Sequence, residues 1–205
     1  MLFYSFNVNG QKYFEGEIIY KLHAEKKDSA FDLSNIISYP AKTFTFLFKN
    51  GIWINAPDSG MIDFGYFRHD ENRQYYKFVG VDTLVYYNYD RLDPDQDSLL
   101  SIETQFNTDT ILGYYCHRLI LKTNKMTLTL AYSPSLKIDP KWFSLTKGGY
   151  YDIIYSHTKS LYLMSIIETS QFISRDIAVK VTEQKLEDEI FENINRLPKR
   201  PIPLD

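Results

Sequence analysis

The chain has 205 residues, a formal net charge of -3 and an aromatic content of 16%, mostly 17 Tyr and 14 Phe. That length suffices for one substantial core. The mixed charge leaves no electrostatic footprint for nucleic acid or an anionic membrane, and no apolar run is long enough to span a bilayer. A lone cysteine cannot close an intramolecular disulfide, and the abundance of Tyr and Phe favours strands over helices.

Residues 1–10 turn from apolar to polar, with Val8 and Gly10 placed before Gln11 as small residues precede a cleavage point. They read either as a truncated signal-peptide remnant or as a first edge strand. Residues 11–197 read as a single β-rich domain, and 198–205, with Pro198, Pro201 and Pro203, as an extended tail. From Lys12 to Glu25 the side chains alternate with a period of two, which predicts a long first strand. The stretch Asp32–Ile37 reads as a short helix or an irregular crossing ended by Pro40.

The strongest local signal is Thr43–Lys49, Asn50-Gly51, Ile52–Asn55, because Asn-Gly accepts the positive φ angles of a type I′ hairpin turn. It sets Phe48 opposite Trp53. Strands follow at Met61–His69, Gln74–Val79 and Thr83–Tyr89, and the short joins predict an antiparallel meander. In the next loop Asp93, Asp95 and Asp97 stand at alternate positions, the type and spacing of hard oxygen ligands for calcium. Counted from Asp93, however, the sixth position is Ser98 where an EF-hand needs Gly, and the twelfth is Thr104 where it needs Glu. A solvated acidic loop fits better, and no other metal ligands and no cofactor are implied.

Ser101–Phe106 predicts a strand ahead of the element Ile111-Leu112-Gly113-Tyr114-Tyr115-Cys116, where Gly113 allows the backbone to bend. Tyr115–Thr123 and Met126–Tyr132 then form a hairpin about Asn124-Lys125, which pairs Leu121 with Leu128, Leu119 with Leu130 and His117 with Tyr132. Cys116 points to the other face, beside Arg118. Neighbouring strand residues project oppositely, so Cys116 and His117 cannot act as nucleophile and base. Cys116 reads as a buried small hydrophobe, with Arg118 the one feature favouring a reactive thiolate.

Ser133-Pro134-Ser135 predicts a break in the sheet, and Asp139-Pro140 caps one helical turn that places Trp142 at an end of the core. Strands are predicted at Tyr150–Ser156, Leu161–Glu168 and Phe172–Thr182, the last with Ile173, Ile177, Val179 and Val181 on one side and Ser174, Asp176 and Lys180 on the other. Leu186, Ile190, Ile194 and Leu197 recur at helical spacing and predict a short amphipathic helix closing one mouth of the sheet. The expected fold is mainly β: a single, strongly curved antiparallel sheet, a half-barrel or open barrel, with one or two short helices including one near the C-terminus.

His23, His69, His117 and His157 are scattered, and the chain contains no Gly-x-Ser-x-Gly elbow, phosphate loop or His-Glu-x-x-His motif. No catalytic residue is assigned, and the expectation is a protein that is not an enzyme. The stretch Tyr13–Tyr20, the Ile111–Cys116 element, the hairpin after it and Phe191–Pro198 resemble a group of exported proteins of Gram-negative bacteria that includes the GLPGLI-type proteins. These in turn are similar to the LolA-like lipoprotein-carrier fold. The Gly-Leu-Pro-Gly-Leu-Ile segment itself is absent, and Lys147-Gly148-Gly149-Tyr150 stands in the corresponding region. The resemblance implies a periplasmic or otherwise exported location and a curved sheet. A curved sheet rich in aromatics predicts a non-enzymatic binding or carrier protein, with an apolar small molecule or lipid in the concave face. The alternative is a cell-envelope structural or protein-interaction module with no small-molecule ligand.

Overall fold

Phe44, Phe46 and Phe48 alternate with Thr45, Leu47 and Lys49, and burial follows that alternation on both sides of the strand. The computed structural model, which describes residues 13–36, 39–90 and 98–202, builds this pattern into one open sheet of twelve strands. In chain order they are β1 (Gly16–Lys26), β2 (Thr43–Lys49), β3 (Ile52–Pro57), β4 (Ile62–Arg68), β5 (Arg73–Phe78), β6 (Leu84–Asn88), β7 (Leu99–Ile111), β8 (Tyr114–Thr123), β9 (Met126–Lys137), β10 (Ser160–Thr169), β11 (Phe172–Glu183) and β12 (Lys199–Pro201). Helices α1 (Tyr151–Thr158) and α2 (Asp188–Asn195) complete the fold, with short 3-10 turns at Leu33–Asn35, Pro140–Phe143 and Gly148–Tyr150.

The strands lie in the order β12-β6-β5-β4-β3-β2-β1-β11-β10-β9-β8-β7. Two meanders, β1 to β6 and β7 to β11, are thus joined through the long β1–β11 pairing. Gly16 opens that pairing with φ 151, and a Cβ there would sit 2.1 Å from the Thr182 carbonyl oxygen. Only glycine allows the two backbones so close. The two predicted hairpins form in the expected register: Phe48 faces Trp53 across Asn50-Gly51, and Leu121, Leu119 and His117 face Leu128, Leu130 and Tyr132. Leu112 and Gly113, both at positive φ, make the tight turn from β7 to β8.

The chain from Ile138 to Thr158 lies on one face of the sheet. There Phe67 of β4 stacks on Phe143 at 5.6 Å and meets Tyr151 at 6.3 Å, while α1 also rests against β8. Strands β4 and β8 are seven places apart in the sheet, roughly 34 Å if it were flat. A helix about 10–12 Å across touches both only if the sheet curls around it. The concave face is therefore the main core, built on Tyr20, Phe46, Phe48, Trp53, Phe67, Leu119, Leu130, Phe143 and Tyr155.

The convex face carries a second, smaller core over β3 to β6, where Ile54, Tyr66, Tyr75 and Leu84 pack under Leu186 and Phe191. Lys49 staples it: its ammonium reaches Asp188 at 2.6 Å, the Leu186 carbonyl at 2.5 Å and Glu15 at 3.4 Å. Elsewhere the convex face is solvated and crossed by ion pairs such as Arg175–Glu25 and Lys180–Glu17.

Several expectations are corrected. Tyr150–Ser156 is not a strand: Tyr151, Ile154, Tyr155 and Thr158 meet the core at helical spacing, and left-handed Tyr150 and Lys159 bound the helix. The aromatic and β-branched composition pointed to a strand, and tertiary packing overrides that preference. Ser133-Pro134-Ser135 does not break β9, because Pro134 lies past the last β8–β9 pair and within the register shift against β10, where no ladder bond needs its N–H. Helix α2 covers the convex face instead of closing a mouth, and its buried anchor is Phe191, while Ile190 is exposed. Of the proline-rich tail, Lys199–Pro201 is extended and exposed, yet it pairs with β6 as a parallel strand, tied by Lys199 to Glu71 at 3.6 Å and over the Tyr75 ring at 5.0 Å.

Truncating Phe67 to Ala removes a ring stacked on both Trp53 and Phe143. The expected cost in urea unfolding is about 3–5 kcal/mol, against less than about 0.5 kcal/mol for the exposed Leu112→Ala.

Candidate functional site

Strand β11 reads polar on its Ser174 and Asp176 side, but that side is turned inward. Asp176 pairs with Leu22 of β1 and with Ser165 of β10, both of which look into the concave face. The inversion has a local cause: Ile19 pairs with Lys180 and Tyr20 with Ala178, so Val179 is bulged out. Ala178 and Val181 both reach the core as a result, while Ile177 and Val179 face solvent.

Around Asp176 the concave face is lined with tyrosines. Tyr20 is buried, stacks on Phe44 at 4.7 Å and donates its hydroxyl to the Tyr162 carbonyl at 2.6 Å. Its ring also meets that of Tyr162, and Tyr155 of α1 completes the group. Burial pushes all three phenols up, so they remain neutral donors at any physiological pH. Asp176 is half-buried as a residue, yet its Oδ1 is shielded from solvent and accepts no hydrogen bond from the protein. Burial raises its carboxyl to about 6, because the charged form is poorly solvated there.

Next to this acid, at the rim of the concave face, is a groove of about 240 Å³. Its apolar walls are Leu22 and Ala24 of β1, Leu33 and Ile36 of the 3-10 crossing, and Pro40 and Ala41 before β2. Ser174, one step along the same face from Asp176, also lines it, with His23 and Lys42 at its margin. Asp32 caps the 3-10 turn by accepting from the Ser34 amide, which holds Leu33 and Ile36 in place over β1.

The residues singled out in the sequence do not assemble with this groove. Asp93, Asp95 and Asp97 lie outside the described residues. Cys116 is fully buried, and burial pushes its thiol up, away from reactivity. The charge of Arg118 is taken by Asp109, which it grips through two hydrogen bonds of 2.7 Å. His117 accepts from the Asn107 amide and lies between the rings of Phe106 and Tyr132. His69 packs on Trp142, and His23 stands near Glu25 at 3.8 Å. Among the described residues no three His, Cys, Asp or Glu side chains converge on a metal-sized site.

At the far margin of the sheet, β7 pairs with β8 alone among the described strands. Leu100 and Phe106 on it are 67% and 69% exposed, and Tyr115, just past the turn, is 76% exposed. Among the described residues this edge has no covering element, whereas β12 covers β6 at the opposite end.

No family model matches the chain, and no curated protein matches it. Among solved structures it is similar to one described as "Structure of PNGF-II in P21 space group", at 12% identity and a TM-score of 0.49. The match covers 92% of this chain but only 31% of that one, and at this distance it carries no functional argument.

The raised pKa of Asp176 has a definite sign in stability. With its carboxyl at about 6 in the folded protein and near 3.8 when unfolded, the folded state holds the proton more tightly. The contribution of Asp176 to stability is then fully present below about pH 4 and is lost as pH rises through about 6, by at most about 3 kcal/mol. Asp176→Asn is expected to flatten that segment of the stability curve and to raise the midpoint of urea unfolding at neutral pH. Native Cys116 is expected to react with a thiol reagent at neutral pH only as fast as the protein unfolds.

Proposed function

We propose that the chain is a non-enzymatic binding protein of the cell envelope that takes a small, largely apolar ligand in the rim groove beside Asp176. The observation that carries this reading is the groove itself, apolar over most of its lining, with Ser174, His23, Tyr39 and Lys42 as its polar groups. Its size sets the ligand. A cavity of about 150 Å³ holds benzene, so some 240 Å³ suits a ring-sized body and is far too small for a two-chain lipid. The rest of the concave face is taken by Phe143, Tyr151 and Tyr155. A larger cargo would have to displace them. The envelope setting rests on the resemblance of the Gly113–Cys116 element and the hairpin after it to exported proteins.

The exposed β7 edge favours a second reading, a protein-interaction module that adds a partner strand to the sheet. Phe106 and Tyr115 would supply its aromatic contacts. The two readings separate by mutation, because the groove and β7 lie on strands well apart in the sheet.

Ser174→Trp is expected to fill the groove and abolish binding of ring-sized ligands in ligand-observed NMR, with the unfolding free energy changed by less than about 1 kcal/mol. Unaltered ligand binding in that variant, or none in the parent protein, would remove the first reading. Phe106→Asp is expected to leave ligand binding intact and to lower capture of a crosslinked protein partner in the envelope.

A further inference from the structure

We infer that the rim groove selects a primary amine, a small ring or short alkyl chain bearing an ammonium group that reaches Asp176. This rests on the ligand-binding reading above and names the chemistry of the ligand. Asp176 Oδ1 is an acceptor shielded from water and left without a hydrogen-bond donor by the protein. An unpaired buried acceptor forfeits the hydrogen bond it would make in water, and a ligand that donates to it recovers that interaction.

The register places the acid where a bound head group would arrive. Leu22 and Ala24 on β1 pair with Asp176 and Ser174 on β11, so these four residues share one face. Leu22, Ala24 and Ser174 line the groove, and Asp176 is the next residue inward on that face. A body seated between Leu33, Ile36 and Pro40 thus lies beside Leu22, the cross-strand partner of Asp176, and its head group reaches the carboxylate by displacing the side chains that shield Oδ1. An ammonium supplies three donors and a positive charge, and Ser165 and Ser174 beside Asp176 add hydroxyl acceptors for the remaining donors.

A neutral alcohol of the same shape would satisfy Oδ1 without the charge. A carboxylate ligand would instead be drawn to Lys42 and His23 at the margin. The walls being the same for all three, the head group alone decides between them.

The test uses benzylamine, benzyl alcohol and phenylacetate with the full chain near pH 8, read by calorimetry and by amide chemical shifts. Benzylamine is expected to bind about tenfold more tightly than benzyl alcohol, to shift the Leu22, Ser174 and Asp176 amides, and to fall to the alcohol's affinity in Asp176→Asn. Equal binding of amine and alcohol would overturn the amine assignment and leave the ligand-binding reading standing. Preference for phenylacetate would also overturn it. No binding of any of the three at about 10 mM would remove both readings. The shift map on the parent protein keeps the assignment falsifiable even if Asp176→Asn fails to fold, since shifts confined to other residues would refute it.

Discussion

The stacking of Phe67 between Trp53 and Phe143 is the contact on which the shape of the molecule depends. It ties the β1–β6 meander to the segment Ile138–Thr158, which meets β8 on its other side and shares the main core with Tyr20 and Tyr162. A sheet of twelve strands has no reason to bend as one body unless something on its inner face is attractive to both halves. Here that object is a short helix carrying Tyr151, Ile154 and Tyr155. Curvature and core packing are accordingly one property, and the concave face is full because its filling is what makes it concave. The rim, where α1 does not reach, is where a groove survives.

Much of this was legible in the residues. The Asn50-Gly51 turn and the Asn124-Lys125 turn dictate their hairpins, because each lies between strands whose alternation admits one register. The capped turn at Asp139-Pro140 was equally plain, with Asp139 accepting from the Lys141 amide. What the residues did not disclose is where period two fails. Helix α1 is written in strand-forming residues, and only its contacts with Phe67 and Phe143 make the helical stripe matter.

The candidate site was hidden for a related reason. Asp176 sits in an alternating strand whose polar side would ordinarily face water, and the single bulged Val179 turns the polar residues inward. No feature of the β11 sequence marks that bulge; it arises from pairing with β1, a strand more than a hundred residues away. Cys116, the most conspicuous residue in the sequence, is by contrast chemically quiet, with its neighbour Arg118 occupied by Asp109.

The tail strand β12 gives the sheet a polarity of assembly. By lying parallel on β6 it presents exposed Lys199, Arg200 and Pro201, a basic and proline-broken margin poorly suited to further pairing. Among the described residues the β7 margin has no such guard, so of the two described margins this is the one open to backbone pairing. Copies or partners joining through backbone pairing would form a pair that terminates, not a fibre that grows.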